Sequence, residues 1–180
     1  MPSATGHGYI TIVADGATCN QLQDVSVITE PAAHSDPEFS YPLGLVQFRI
    51  PCSTTATLKI YFHERQDLNG FTYRKYGPAP PDFTTPEWYT LSGVTFGTEV
   101  LAGQTVAYAE FTLSDGAIGD DTGADLVIVD QGGPGLPQAP AHVASQPVPT
   151  ATEWGVILFI MLAGCFAVAK IREKTTVKVK

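Results

Sequence analysis

The sequence predicts an all-β fold, an antiparallel β-sandwich of about 7–8 strands, followed by one C-terminal hydrophobic, transmembrane helix. Three observations predict it. Short segments rich in β-branched and aromatic residues recur along the first 130 positions, several with alternating polar and apolar side chains. Turn residues separate them: Pro31, Asp36-Pro37, Asn69-Gly70, Gly77-Pro78, Pro80-Pro81, Ala102-Gly103 and Asp115-Gly116. No stretch before Val148 sustains a 3.6-residue apolar period, whereas 154–169 is an unbroken run of sixteen residues without charge.

In chain order, residues 1–7 carry no pattern and are expected to be disordered. Strands are expected at 8–13, 22–29, 43–50, 57–62, 94–100, 105–113 and 126–130, each bounded by turn residues. The clearest alternation is Leu45-Val46-Gln47-Phe48-Arg49-Ile50, the pattern of a half-buried strand. The body is assigned to 8–135, a linker to 136–147, and a separate C-terminal segment to 148–180. Pro137, Pro140 and Pro147 keep the linker extended.

Charge divides the chain in the same place. Residues 1–135 hold five basic and sixteen acidic residues, a formal −11, while the remainder, with five basic and two acidic, stands at +3. An acidic body argues against nucleic acid as a partner, since phosphate backbones are bound through Lys and Arg clusters. Cys19 and Cys52 lie in the body and Cys165 in the apolar run. A Cys19–Cys52 disulfide would close a loop of about 34 residues and stabilise by roughly 4 kcal/mol on the chain-entropy model; the alternative is two free thiols.

Two segments of the body invite a functional reading. Residues 73–89 form a proline-rich excursion whose Tyr73, Tyr76, Trp88 and Tyr89 could build a stacking platform for a sugar or a protein ligand. In the plainer reading, Trp88 and Tyr89 begin a strand and plug one end of the sandwich. Between 115 and 130, Asp115, Asp120, Asp121, Asp125 and Asp130 alternate with glycines. Such carboxylates could hold Ca2+, which takes six to eight oxygens, although the spacing is not that of an EF-hand; the plainer reading is a solvated acidic hairpin.

No catalytic residues are expected. The four histidines are scattered, and neither a nucleophile elbow nor a phosphate-cradling glycine loop occurs. The nearest candidate, His63-Glu64 close to Asp67, reads as a surface pair. The chain is therefore expected to be no enzyme, with glycan processing by a carboxylate pair as an alternative.

The apolar run is about 24 Å long as a helix, slightly short of a bilayer core, and Lys170 can extend its stem toward the headgroups. Thr152 and Glu153 suit a helix start and Trp154 an interfacial anchor. The expected helix spans about 154–171. Lys170, Arg172, Lys174, Lys178 and Lys180 follow it, which orients a span with its C-terminus in the cytoplasm.

Pro149-Thr150, Glu153-Trp154-Gly155, the short apolar helix and the basic end resemble the IPTL-CTERM class of bacterial C-terminal protein-sorting signals. Val148 stands for the usual Ile and Ala151 for the usual Leu. The resemblance implies export, a membrane stage, and a sorting or processing protease acting near Val148, Pro149, Thr150, Glu153, Trp154 and Gly155. The body resembles the choice-of-anchor U domain through Gly8-Tyr9-Ile10-Thr11, the two cysteines, Lys75-Tyr76-Gly77, Pro86-Glu87-Trp88-Tyr89, and the run from Asp115-Gly116 through Gly119-Asp120-Asp121 to Gly132-Gly133-Pro134. That likeness implies a cell-surface module placed before an anchoring signal, with a structural or adhesive role. A carbohydrate-binding surface protein is the alternative. The opening residues lack the basic and apolar regions of a secretory leader, so the chain is expected to be a piece of a longer exported protein.

Overall fold

Alternating apolar side chains in the first 137 residues assemble ten antiparallel strands in the computed structural model, which describes residues 1–6, 8–16, 22–139, 155–156, 158–163, 165 and 168–170. The strands are β1 (Ile10–Asp15), β2 (Gln23–Ile28), β3 (Phe39–Ser40), β4 (Leu45–Pro51), β5 (Thr55–Phe62), β6 (Thr72–Pro78), β7 (Pro86–Thr90), β8 (Thr95–Leu101), β9 (Gln104–Ser114) and β10 (Val127–Pro137). They form two sheets. One has the order β1-β5-β9-β8; the other has the order β2-β4-β10-β6-β7, with β3 also pairing β10.

The core lies between the sheets. Ile10, Leu58, Ile60, Phe62, Phe111 and Leu113 face it from the first, and Val46, Phe48, Ile50, Tyr73 and Ile128 from the second, all buried. Side chains one position along point the other way, as strand geometry requires. On the outer face of the first sheet, Lys59 Nζ thus sits 3.0 Å from Glu99, 3.5 Å from Glu110 and 4.0 Å above the Tyr108 ring.

The all-β expectation holds in its architecture, with more strands than periodicity showed. The proline-rich excursion is the β6–β7 hairpin, paired from Arg74↔Thr90 to Pro78↔Pro86. The prolines fall at strand ends, where a missing N–H is tolerated. Strand β10 is twice the expected length. Its Gly132-Gly133-Pro134-Gly135 run, which lies beyond the strand expected at 126–130, pairs with β6 along its whole length. Glycine is required there because backbone and rings approach closely: a Cβ on Gly133 would lie 2.6 Å from the Gly44 carbonyl oxygen, and one on Gly135 would lie 3.0 Å from the Tyr41 ring.

Both ends of the body extend further than expected. The first six residues fold back along β1, with the Met1 amine donating to the Ile10 carbonyl and the Ile10 N–H to the Met1 carbonyl, both at 2.8 Å. At the other end the Gln138 N–H donates to the Glu38 carbonyl at 2.7 Å. The chain divides into two units, Met1–Pro140 and Ala141–Lys180.

In the second unit the described residues between 155 and 170 are helical. No helix among the described residues is long and apolar enough to cross a membrane; of the helix expected at about 154–171, residues 154, 157, 164, 166, 167 and 171 lie outside the described residues. Cys52 is disulfide-bonded and Cys165 is a free thiol; Cys19 lies outside the described residues.

The β8–β9 hairpin supplies a test of local backbone energetics. Leu101 pairs with Gln104 across a two-residue turn in which Ala102 has φ 50° and Gly103 φ 82°. Positive φ at both positions gives the twist that flanking strands need. Gly103 takes it freely, whereas an alanine there costs about 1 kcal/mol. Ala102→Asn is expected to stabilise the protein by about 0.5–1 kcal/mol, read as a higher urea midpoint; an unchanged or lower midpoint would contradict this.

Candidate functional site

Strand β6 carries two cations in succession, Arg74 and Lys75, and both are buried. Neighbouring residues on a strand face opposite sides, so each enters a different environment. Each needs its own carboxylate, because an unpaired buried charge is too costly to keep.

Lys75 points between the sheets and is fully buried. Its Nζ lies 2.6 Å from Asp130 Oδ1 and 3.7 Å from Asp121 Oδ1, and it donates to the Gly119 carbonyl. Two glycines make the room. Lys75 pairs directly with Gly132, where a Cβ would stand 3.1 Å from the Lys75 stem; without one, the stem can pass toward Asp130, diagonally placed on the same face. Gly77, one turn of the pleat further along β6, leaves space that the Asp121 carboxyl fills. The Tyr73 ring packs tilted on Phe111 at 4.7 Å and shares this interior.

Burial pushes Asp130 upward against the opposing Lys75 charge. Asp121 is pushed up to about 7, again by burial first, with Lys75 opposing and Asp130 and Asp120 adding. Burial alone would lower Lys75, but the carboxylates of Asp130 and Asp121 outweigh it and its net shift is upward.

Arg74 points to the opposite face, under the segment between β2 and β4. Its Nε and Nη2 reach Asp36 Oδ2 at 3.0 and 2.9 Å, Nη1 donates to Thr90 Oγ1 at 3.0 Å, and the guanidinium lies 4.6 Å from the Phe39 ring centre. The Tyr41 hydroxyl donates to the same Asp36 oxygen at 2.6 Å, and the Glu38 N–H donates to the other at 3.0 Å. Burial would raise Asp36, yet the bonds from Tyr41, Glu38 and Arg74 prevail and hold its carboxyl below the usual range.

The four aromatics expected to share one platform are divided between these two faces. Tyr73 is a core residue at 1 % exposure. Tyr89 pairs with Lys75 across β6–β7 and its hydroxyl is buried. Tyr76 and Trp88 face outward together, with ring centres 5.1 Å apart. Tyr41 stacks on Trp88 at 4.8 Å and His34 on Tyr76 at 5.6 Å, and the Trp88 indole N–H donates to the His34 carbonyl at 2.7 Å. Strand parity thus separates the set and side-chain packing occupies the outward pair.

The acidic loop spends its oxygens on its own backbone. Asp120, fully buried, accepts from Gly116 N–H (2.8 Å), Val129 N–H (2.9 Å) and both the N–H and hydroxyl of Thr122 (3.2 and 3.1 Å). Asp115 accepts from the Asp125 and Leu126 N–H groups at 3.0 and 3.1 Å, and Asp125 from Val127 N–H at 2.9 Å. Since Asp121 and Asp130 turn to Lys75, the five carboxylates do not converge, and no group of three His, Cys, Asp or Glu residues among the described ones could hold a metal ion. The sequence shows these carboxylates but not the hydrogen-bond donors that they serve.

His63 accepts or donates one bond, to Thr11 Oγ1 across the β1–β5 edge at 2.8 Å. Of the sorting-signal residues, Val148, Pro149, Thr150, Glu153 and Trp154 lie outside the described residues; Gly155 is helical and exposed. In the sequence Lys75 stands out only within Lys75-Tyr76-Gly77 and Asp36 only within the Asp36-Pro37 turn, and neither pattern signals a buried charge pair.

Two outcomes follow from the paired charges. Arg74→Ala leaves Asp36 buried without its cation and is expected to destabilise by about 3–5 kcal/mol in urea unfolding; a loss no larger than that of Lys59→Ala on the exposed face would show Arg74 to be dispensable. For Asp121, the unfolded group titrates near about 3.9 and the folded one at about 7. The folded chain therefore holds the extra proton in between, and stability falls as pH rises from about 4 to about 7. Asp121→Asn should flatten that part of the urea midpoint against pH; an unaltered slope would contradict it.

Comparison with protein-family models, with curated proteins and with solved structures finds no match to this chain.

Proposed function

We propose that the chain is an exported, non-catalytic module of a bacterial cell surface, with a structural or adhesive role, held through its C-terminal segment. The observation that carries this reading is the apolar surface of that segment. Val156, Leu158, Phe159, Ile160, Met161, Leu162 and Val168 are between 56 and 75 % exposed. Monomeric soluble proteins seldom leave so large a contiguous apolar surface uncovered, and such patches mark membrane or protein contacts. Burial of these side chains in lipid, at about 25 cal/mol per Å², supplies the driving force.

Three further features fit. The disulfide at Cys52 is of the kind that persists in oxidising compartments. Five basic residues after Ala169 keep the C-terminus on the cytoplasmic side. The likeness of 148–155 to a sorting signal adds a processing protease as a partner, which would cut the handle once the body is outside. The two-sheet body then serves as the exposed part.

Flotation with phosphatidylcholine vesicles tests the reading, because zwitterionic lipid offers nothing to the basic tail alone. The full chain should float with the vesicles, and a chain ending at Pro140 should stay at the bottom. A full chain that stays at the bottom would overturn the proposal.

A further inference from the structure

The contact between Lys75 and Asp130 is closer than an ordinary ion pair and lacks the alignment of a hydrogen bond. Nζ is 2.6 Å from Oδ1, yet neither Asp130 oxygen has a hydrogen-bond partner among the described residues, and Asp121 Oδ1 has none either. Side-chain exposure is zero for both Lys75 and Asp130. Leu91 and Leu113 pack beside Gly119, whose carbonyl accepts from Nζ. Buried carboxylates normally collect donors, and this one has an amine pressed against it instead.

We propose that Lys75 and Asp130 form an amide cross-link, with Asp121 as the proton-transfer group. The reactive form is the minor one in which a proton has passed from the Lys75 ammonium to the Asp130 carboxylate, leaving an amine facing a carboxylic acid; dry surroundings lower the cost of reaching it. The amine lone pair attacks Asp130 Cγ, which lies at most one C–O bond beyond Oδ1. That is close to the separation of about 3–3.5 Å found in near-attack geometries. Asp121 Oδ1, 3.7 Å from Nζ, takes a proton from the nitrogen and returns it to the departing oxygen. Its upward shift to about 7 suits a carboxyl that must do both near neutral pH. One N–C bond forms, one C–O bond breaks and one water leaves. No oxidation state changes and no co-reactant is needed.

The product is neutral and removes the need to bury opposite charges. It also joins β6 to β10 covalently, two adjacent strands in the second sheet. This inference uses nothing of the C-terminal segment, so it stands or falls apart from the surface-module proposal.

The test is the intact mass of the purified full chain, reduced and alkylated in denaturant so that the disulfide does not enter. The expected mass is lower than that of the sequence by one water, with a branched chymotryptic peptide joining Lys75 to Asp130. Asp130→Asn should lose one ammonia in place of the water, a readout that only the chemistry can give and that no change in folding imitates. Asp121→Asn, with a far-ultraviolet spectrum like that of the parent, should cross-link slower by about 100-fold or more. A parent chain at its full sequence mass would overturn the proposal and leave an ion pair. So would a loss of water that persists in Lys75→Met, which would place it elsewhere, as in a cyclised Asp115-Gly116. Asp121→Asn reacting as fast as the parent would remove Asp121 from the mechanism.

Discussion

A strand covered on both faces has no solvated side on which to put a charge, and β6 carries two. Everything distinctive about the second sheet follows from meeting that constraint. Lys75 turns inward and takes Asp130 from β10 and Asp121 from the loop before it, while Arg74 turns outward and takes Asp36 from the segment between β2 and β3. The two carboxylate suppliers lie on opposite sides of the same strand. Neither cation can be desolvated until its partner's segment is in place, which ties the folding of the outer segment and of the acidic loop to the seating of β6. By contrast, the Lys59 network on the first sheet is open to water and screened, so it decorates that sheet without organising it.

The glycines of β10 are the backbone counterpart of this arrangement. A central strand normally avoids glycine, yet here Gly132, Gly133 and Gly135 sit where the Lys75 stem, the Gly44 carbonyl and the Tyr41 ring come closest. Their absence of side chains lets three neighbouring strands pack onto β10, and the pairing recovers what their flexibility costs. The same logic places Gly77 opposite Asp121. Packing and charge pairing are thus one design, in which small residues make the spaces that polar groups fill.

Much of this architecture was legible. Period-two alternation in 45–50 and 57–62 marked β4 and β5 because one face of each is apolar and the other polar. The same rule failed on β6, where Tyr73, Arg74 and Lys75 are all buried and no alternation remains to be seen. It failed again on β10, whose second half is largely glycine and proline and carries no apolar alternation. For the site, the carboxylates of 115–130 were visible and their purpose was not: Asp115, Asp120 and Asp125 serve backbone N–H groups, a role that depends on loop geometry alone. Asp121 and Asp130 serve a lysine some fifty residues earlier in the chain. The aromatics of 73–89 looked like one surface because sequence proximity hides strand parity. The apolar run at 154–169 was read from composition, which needs no partner to be recognised.

Lys75 is held inside the sandwich against Asp130, and the most direct measurement of this is the rate of reductive methylation at each lysine of the native chain, read by peptide mass. Lys59, partly exposed, should label readily under conditions in which Lys75 stays unmodified. If Lys75 labels as fast as Lys59 while the protein remains folded, its amine is in water and the organisation of the second sheet must have another cause.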